Sequence, residues 1–134
     1  GKGAFFNDKP IHVSQISRIE ESYVSFGNLK YFDERTLPAL ISLGKSAHAF
    51  RGFGDAWSYH LLAQGKVDVV IEANINLWDI APFIVIIEEA GGKVTNFEHS
   101  PILSARAKNQ YAPSGKGKVK RGKESTKFRV QSSE

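Results

Sequence analysis

The chain predicts an α/β layer, with helices packed on a sheet, followed by a basic irregular tail. From His48 to Phe97 the sequence alternates strand, helix, strand, helix and strand. Such an alternation builds a sheet with helices laid on it. The stretch Ile80 to Ile87 carries no charge and no strong polar group, so a helix made from it is expected to be buried on every face. After about Pro101 the periodicity stops, and Gly115 to Lys123 is rich in lysine and glycine. A segment of that composition cannot bury enough apolar surface to offset its ordering entropy.

Taken in order, residues 3–6 and 11–13 read as strands of a hairpin, joined by Asn7-Asp8-Lys9-Pro10. Asn and Asp tolerate left-handed backbone and Pro fixes φ, which suits a turn. Ser22 to Phe26 is a third strand, ended by Gly27-Asn28. From Asp33 to Leu43 the residues Leu37, Leu40, Ile41 and Leu43 keep helical spacing, with Pro38 in the first turn and Gly44 as the stop. His48 to Phe53 is a buried strand running into Gly54-Asp55, and Asp55 is the natural N-cap of a helix that ends at Gly65. Val67 to Ile71 is a β-branched strand ending in Glu72, and a loop from Ala73 to Leu77 leads to the apolar helix. Asp79 opens that helix, where unpaired N–H groups and the dipole favour a carboxylate. Pro82 is tolerated in its first turn and Gly91-Gly92 stops it. Lys93 to Phe97 is a further strand, and Lys127 to Val130 is a candidate edge strand able to hold the tail.

With 134 residues, 41% hydrophobic and 24% charged, the chain is expected to hold one domain. We divide it into an α/β unit over residues 1–103 and a basic, flexible tail over residues 104–134. No apolar run approaches the ~20 residues of a spanning helix, and the start lacks a signal-peptide pattern. A cytoplasmic protein without membrane contact is the expectation. The absence of cysteine excludes disulfides and thiol chemistry. The chain has no Met and begins Gly1-Lys2-Gly3-Ala4-Phe5-Phe6, which reads as the interior of a longer protein. Its +4 charge is unevenly spread: residues 106–134 hold nine of 18 Lys and Arg but only two of 14 acids.

Three features are expected to meet beyond the carboxyl ends of the strands: the Gly54-Asp55 turn, Glu72 and Asp79. That crevice is the usual ligand site of α/β sheets, because loop backbone and helix N-termini point into it. Carboxylates gathered there suit a hard divalent cation or a polyol. Each residue also has a plainer reading. Asp79 and Asp55 could simply cap helices, Glu72 could be a solvated strand-end acid, and Arg51 could pair with a surface acid. Trp57, Tyr59, Leu61 and Trp78 are assigned to the core or its margin. His12, His48, His60 and His99 lack metal-like spacing. Gly44-Lys45-Ser46 is no phosphate loop, because Ala39 stands where the first glycine belongs and a helix leads into it.

Trp78-Asp79 followed by Ala81, closed by Glu89-Ala90-Gly91-Gly92 and preceded by Glu72, resembles the C-terminal signature of the inositol monophosphatase family of magnesium-dependent phosphatases. Arg51-Gly52-Phe53-Gly54-Asp55-Ala56-Trp57 and the opening Gly1 to Asn7 match in order and spacing, and the Gly-Asp turn is similar to the histidinol-phosphatase branch. The resemblance covers roughly residues 1–98 and implies the C-terminal half of a sugar-phosphatase-like fold. It implies magnesium as cofactor, with Asp79 as a metal ligand. Glu72 would face substrate hydroxyl or amino groups, and Arg51 with Gly54, Asp55 and Ala56 would shape the substrate side. The implied substrate is a small polar phosphate ester such as histidinol phosphate or an inositol phosphate, and the implied intact assembly is a homodimer.

The family's Asp-Pro-x-Asp-Gly-Thr motif, which supplies most metal ligands, should precede Gly1, and the chain contains no Asp-Pro or Asp-Gly dipeptide. No catalytic set is therefore complete in this chain, which is expected to be inert without the missing half or a partner chain that supplies it. Residues 99–134 show no match to the family's ending. The rival reading from another class is a non-catalytic binding module whose basic tail contacts nucleic acid. Charge alone supports it, without aromatic interleaving or a known motif.

Overall fold

A computed structural model describes residues 1–97 and 126–132. The first element is a hairpin of β1 (Ala4–Phe6) and β2 (Lys9–Ile11). Its turn is tighter than the four residues expected, because Asn7 (φ 49°) and Asp8 (φ 62°) both take left-handed backbone. Two consecutive residues of that kind reverse the chain with the twist of the flanking strands. Lys9 and Pro10 are thereby released into β2, where Pro10 lies opposite Phe5.

The main sheet contains β3 (Tyr23–Phe26), β4 (Ala49–Arg51), β5 (Val69–Ile75), β6 (Gly92–Asn96) and β7 (Thr126–Ser132), in the spatial order β4-β3-β5-β7-β6. Strand β3 pairs parallel with both β4 and β5. Strand β7 runs antiparallel between β5 and β6, with Val130 opposite Val70 on one side and Val94 on the other. The strand expected at Lys127 to Val130 is therefore present and longer, but it lies inside the sheet rather than at its edge. The rest of the expected tail, residues 104–125 and 133–134, and the boundary placed near residue 103 lie outside the described residues.

Helices cover both faces. Helix α1 (Thr36–Ser46) lies on one face, and α2 (Asp55–Ala63) and α3 (Leu77–Glu89) pack together on the other. Strand β5 shows the division by its period of two. Val69, Ile71 and Ala73 join the cluster containing Leu40 of α1, while Val70 joins Tyr59 and Leu62 of α2 and Ile80, Ile84 and Ile87 of α3. A strand covered on both sides has no polar face to spare, which explains the apolar run Val69-Val70-Ile71.

The helices differ from expectation in three ways. Helix α1 begins at Thr36, whose N–H donates to Asp33 Oδ1 at 2.8 Å, and runs through Gly44 to Ser46, with Gly44 placed where a side chain would strike the Phe50 ring at 2.6 Å. That glycine serves close packing and does not end the helix. In α3 a single stripe of Ile80, Ile84 and Ile87 is buried while Val85 is 57% exposed, so the helix is not buried on every face. Apolar composition without periodicity left that stripe unreadable. Trp57 and Trp78 are 63% and 68% exposed, so neither belongs to the core, whereas Tyr59 does.

Candidate functional site

Glu72 sits inside β5 on the same side as Val70, so its carboxylate enters the layer between the sheet and α2. It is buried, at 5% exposure, and is neither at a strand end nor solvated. One oxygen, Oε1, accepts the Asp55 N–H at 2.9 Å. Burial pushes its pKa up to about 7; the Asp55 hydrogen bond pulls the other way and the Asp55 charge adds to the rise. The strand continues past Glu72 to Ile75, with Asn74 at φ 60° and a register shift against β7 between Glu72 and Ile75. Residues 73–75, expected as loop, are thus an irregular strand end of the kind that re-aims side chains.

The turn into α2 is built around that carboxylate. Gly54 (φ 65°) and Asp55 (φ 48°) both lie in left-handed backbone, and Gly54 occupies the cap position with no side-chain capping bond. Asp55 is thus the first helical residue rather than an N-cap. Its backbone donor is aimed inward at Glu72, while its own carboxylate is exposed. A non-glycine residue in this region costs on the order of 1 kcal/mol or more, and such strain persists where the surroundings impose it. One turn further on, Ser58 hydrogen-bonds Ser25 of β3 at 2.7 Å in the buried layer, fixing α2 to the sheet.

Asp79 is the third residue of α3, with Asn76 at the cap. Asp79 N–H donates to the Asn76 carbonyl at 3.0 Å, and Asn76 Nδ2 donates to Asp79 Oδ2 at 3.2 Å. The carboxylate is exposed at the positive end of the helix. The plain N-cap reading of Asp79 is thus replaced by an acid in the first turn.

Tyr59 links the two helix starts, and sequence reasoning assigned it only to the core. It is 1% exposed, its ring lies 5.1 Å from that of Phe83 on α3, and its hydroxyl has no hydrogen-bond partner among the described residues. Burial first, then the charges of Glu72, Asp55 and Asp79, hold the hydroxyl in its neutral form well above the usual tyrosine range. All three acids therefore act on one buried point. The signal in the sequence was the spacing of four between Asp55 and Tyr59, which stacks them on one face of α2. Ala56 is exposed beside Asp55. Arg51, at the end of β4, is exposed, and its guanidinium donates to the Phe50 carbonyl at 3.2 Å, not to an acid, among the described residues.

These carboxylates do not by themselves make a magnesium site. Among the described residues no group of three or more His, Asp or Glu could hold a metal ion, whereas magnesium demands near-octahedral oxygen coordination. Asp79 fits as one exposed oxygen ligand. Among the described residues no helix is long and apolar enough to cross a membrane.

A mixed sheet with a parallel β4-β3-β5 half and helices on both faces defines an α/β fold. The chain belongs to the inositol monophosphatase family, whose profile matches residues 1–131. The match therefore extends well past residue 98, where sequence inspection ended it. The chain is 33% identical over 92 residues to a histidinol-phosphatase of Streptomyces coelicolor, covering 68% of this chain and 35% of that protein. It is 36% identical over 98 residues to a fructose-1,6-bisphosphatase/inositol-1-monophosphatase of Thermotoga maritima, covering 72% and 37%. A solved structure of an IMPase from Thermotoga maritima superposes with a TM-score of 0.71 at 28% identity, covering 98% of this chain and 43% of that one. The chain thus spans well under half the length of these relatives.

Proposed function

We propose that this chain is the C-terminal part of a magnesium-dependent phosphomonoesterase acting on a small polar phosphate, histidinol phosphate or an inositol phosphate, and that it is inert alone. The observation that carries the reading is the buried Glu72 carboxylate held by the Asp55 N–H at the start of α2, with Asp79 exposed in the first turn of the neighbouring α3. Family membership and the histidinol-phosphatase among the relatives support the reaction class. Asp79 is assigned as one metal ligand, and the other ligands come from outside the described residues. Bound magnesium would supply charge neutralisation and water activation for attack on the phosphoryl group. Glu72 faces substrate hydroxyl or amino groups, and Gly54, Asp55 and Ala56, with Arg51 at the rim, shape the substrate side. The intact protein is a cytoplasmic homodimer on this reading. Of the basic segment on which the rival nucleic-acid reading rests, residues 126–132 are described, and their backbone pairs with β5 and β6.

The test is phosphatase turnover with magnesium on both esters, for this chain and for a longer parent. The chain alone is expected to be silent; appreciable turnover from it overturns the claim that further ligands are required. In the parent, Asp79→Asn is expected to lower kcat more than about 100-fold while changing substrate affinity far less. Preserved turnover removes Asp79 from the metal site.

A further inference from the structure

Gly27 follows β3 and is buried, and its N–H donates to the Ile71 carbonyl of β5 at 3.0 Å. Its backbone does not need glycine, because its φ is not among the positive values in the chain. What requires glycine is space. A Cβ at Gly27 would overlap Glu72 Oε2 and lie 2.6 Å from Glu72 Cδ and 3.1 Å from Oε1, and the three nearest atoms all belong to that one carboxylate. Across the slot, a Cβ on Gly54 would come 3.7 Å from the Gly27 Cα and 3.9 Å from Glu72 Oε1. The carboxylate is thus enclosed by glycine backbone on two sides and by the Asp55 N–H at its tip.

We infer that Gly27 is a positioning residue for Glu72: its missing side chain forms the slot that seats the carboxylate on the first backbone donor of α2. The inference deepens the reading of Glu72 as the substrate-facing acid and rests on it for its functional meaning. The slot itself stands on the geometry alone. The far end of a glutamate is flexible, so an alanine at position 27 displaces the acid rather than the sheet, and Glu72 swings off Asp55 toward solvent. The ionisable groups around Glu72 are Asp55 and Tyr59 on α2, with Asp79 of α3 acting on the same tyrosine. None of them is a base that would hold the displaced carboxylate.

The test needs no ligand, so its failure is separable from failure of the phosphatase reading. In the full chain labelled with ¹⁵N, the Asp55 amide should report the titration of Glu72, with an inflection near pH 7, and Glu72→Gln should abolish it. Gly27→Ala should shift the Asp55 amide resonance, raise its hydrogen-exchange rate and move the inflection down by about one pH unit or more, as the acid gains water. An Asp55 amide that keeps its wild-type shift and titration in Gly27→Ala overturns the proposal. A double-mutant cycle covers the case in which Gly27→Ala fails to fold. If Gly27→Ala combined with Glu72→Ala is as stable as Glu72→Ala alone, the glycine serves the carboxylate. If the alanine costs the same in both backgrounds, the requirement lies in the backbone and the proposal falls.

Discussion

Helices α2 and α3 both carry an aspartate in the first turn, yet those turns are built in opposite ways. At α2 the entering chain is forced through two left-handed residues, Gly54 and Asp55, and the helix's first donor is spent on a buried acid of the sheet. At α3 the chain enters by an ordinary cap, and Asn76 and Asp79 satisfy each other locally. The first start is strained and inward-looking, and its geometry depends on Glu72. The second is relaxed, and its carboxylate is bonded by its own cap residue Asn76 and exposed. The same residue type in the first turn of a helix therefore sits in two different settings, and the difference is whether a buried acid of the sheet claims the helix's donor.

The largest separation of the two starts should come through pH. Burial raises the folded-state pKa of Glu72 from 4.5 to about 7, so its contribution favours folding fully below pH 4.5 and is lost as pH rises through 7. The full swing is roughly 3 kcal/mol. Glu72→Gln keeps an oxygen for the Asp55 N–H but cannot ionise. Denaturant unfolding should show it matching the parent at pH 4 and exceeding it at pH 8 by up to that amount. Equal pH dependence in both proteins would remove Glu72 as the source.

Smaller effects sharpen the contrast. Tyr59→Phe removes a buried hydroxyl with no described partner, so unfolding free energy should stay level or rise by about 1 kcal/mol. A loss of that size instead would mean the hydroxyl is already hydrogen-bonded. Asp55→Gly relieves positive φ while keeping the N–H, and calorimetry should find a gain of about 0.5–1 kcal/mol. Destabilisation would show that the Asp55 carboxylate contributes more than its backbone costs. Asp79→Asn, exposed and locally capped, should leave stability within about 0.5 kcal/mol. That near-silence in folding, set beside its expected effect on turnover in the longer parent, is the signature of an acid kept for a ligand.

Much of the architecture was legible in the sequence. The alternation from His48 to Phe97, the strand ending at Gly27 and the stop at Gly91, where φ is +90°, all follow from periodicity and turn chemistry. What could not be read was set by contacts distant in sequence. Gly44 has the look of a helix stop, but its role comes from the Phe50 ring. Asp55 has the look of an N-cap, but its donor is claimed by Glu72, seventeen residues away. The apolar run in α3 gave no hint of which stripe is buried, because an all-apolar sequence carries no phase. Of the site, the acids were visible as residue types at helix starts. Their shared neighbour Tyr59, with its unmatched hydroxyl, was hidden behind an aromatic that any core would accept.

Strand β7 has a consequence for how the sheet is made. Strand β6 joins the rest of the sheet through β7, so Gly92–Asn96 has no place in the ladder until Thr126–Ser132 has arrived between it and β5. On an emerging chain, β3, β4 and β5 can pair as soon as they are made and α3 can pack on α2 and β5, while β6 waits for a segment about thirty residues further on. Closing such non-local pairings is slow because the loop entropy is lost before the contacts form. During that wait β5 shows an open edge to its surroundings, the kind of edge on which other chains pair. The late strand is the keystone of the sheet, and the order of synthesis makes it the last to be set.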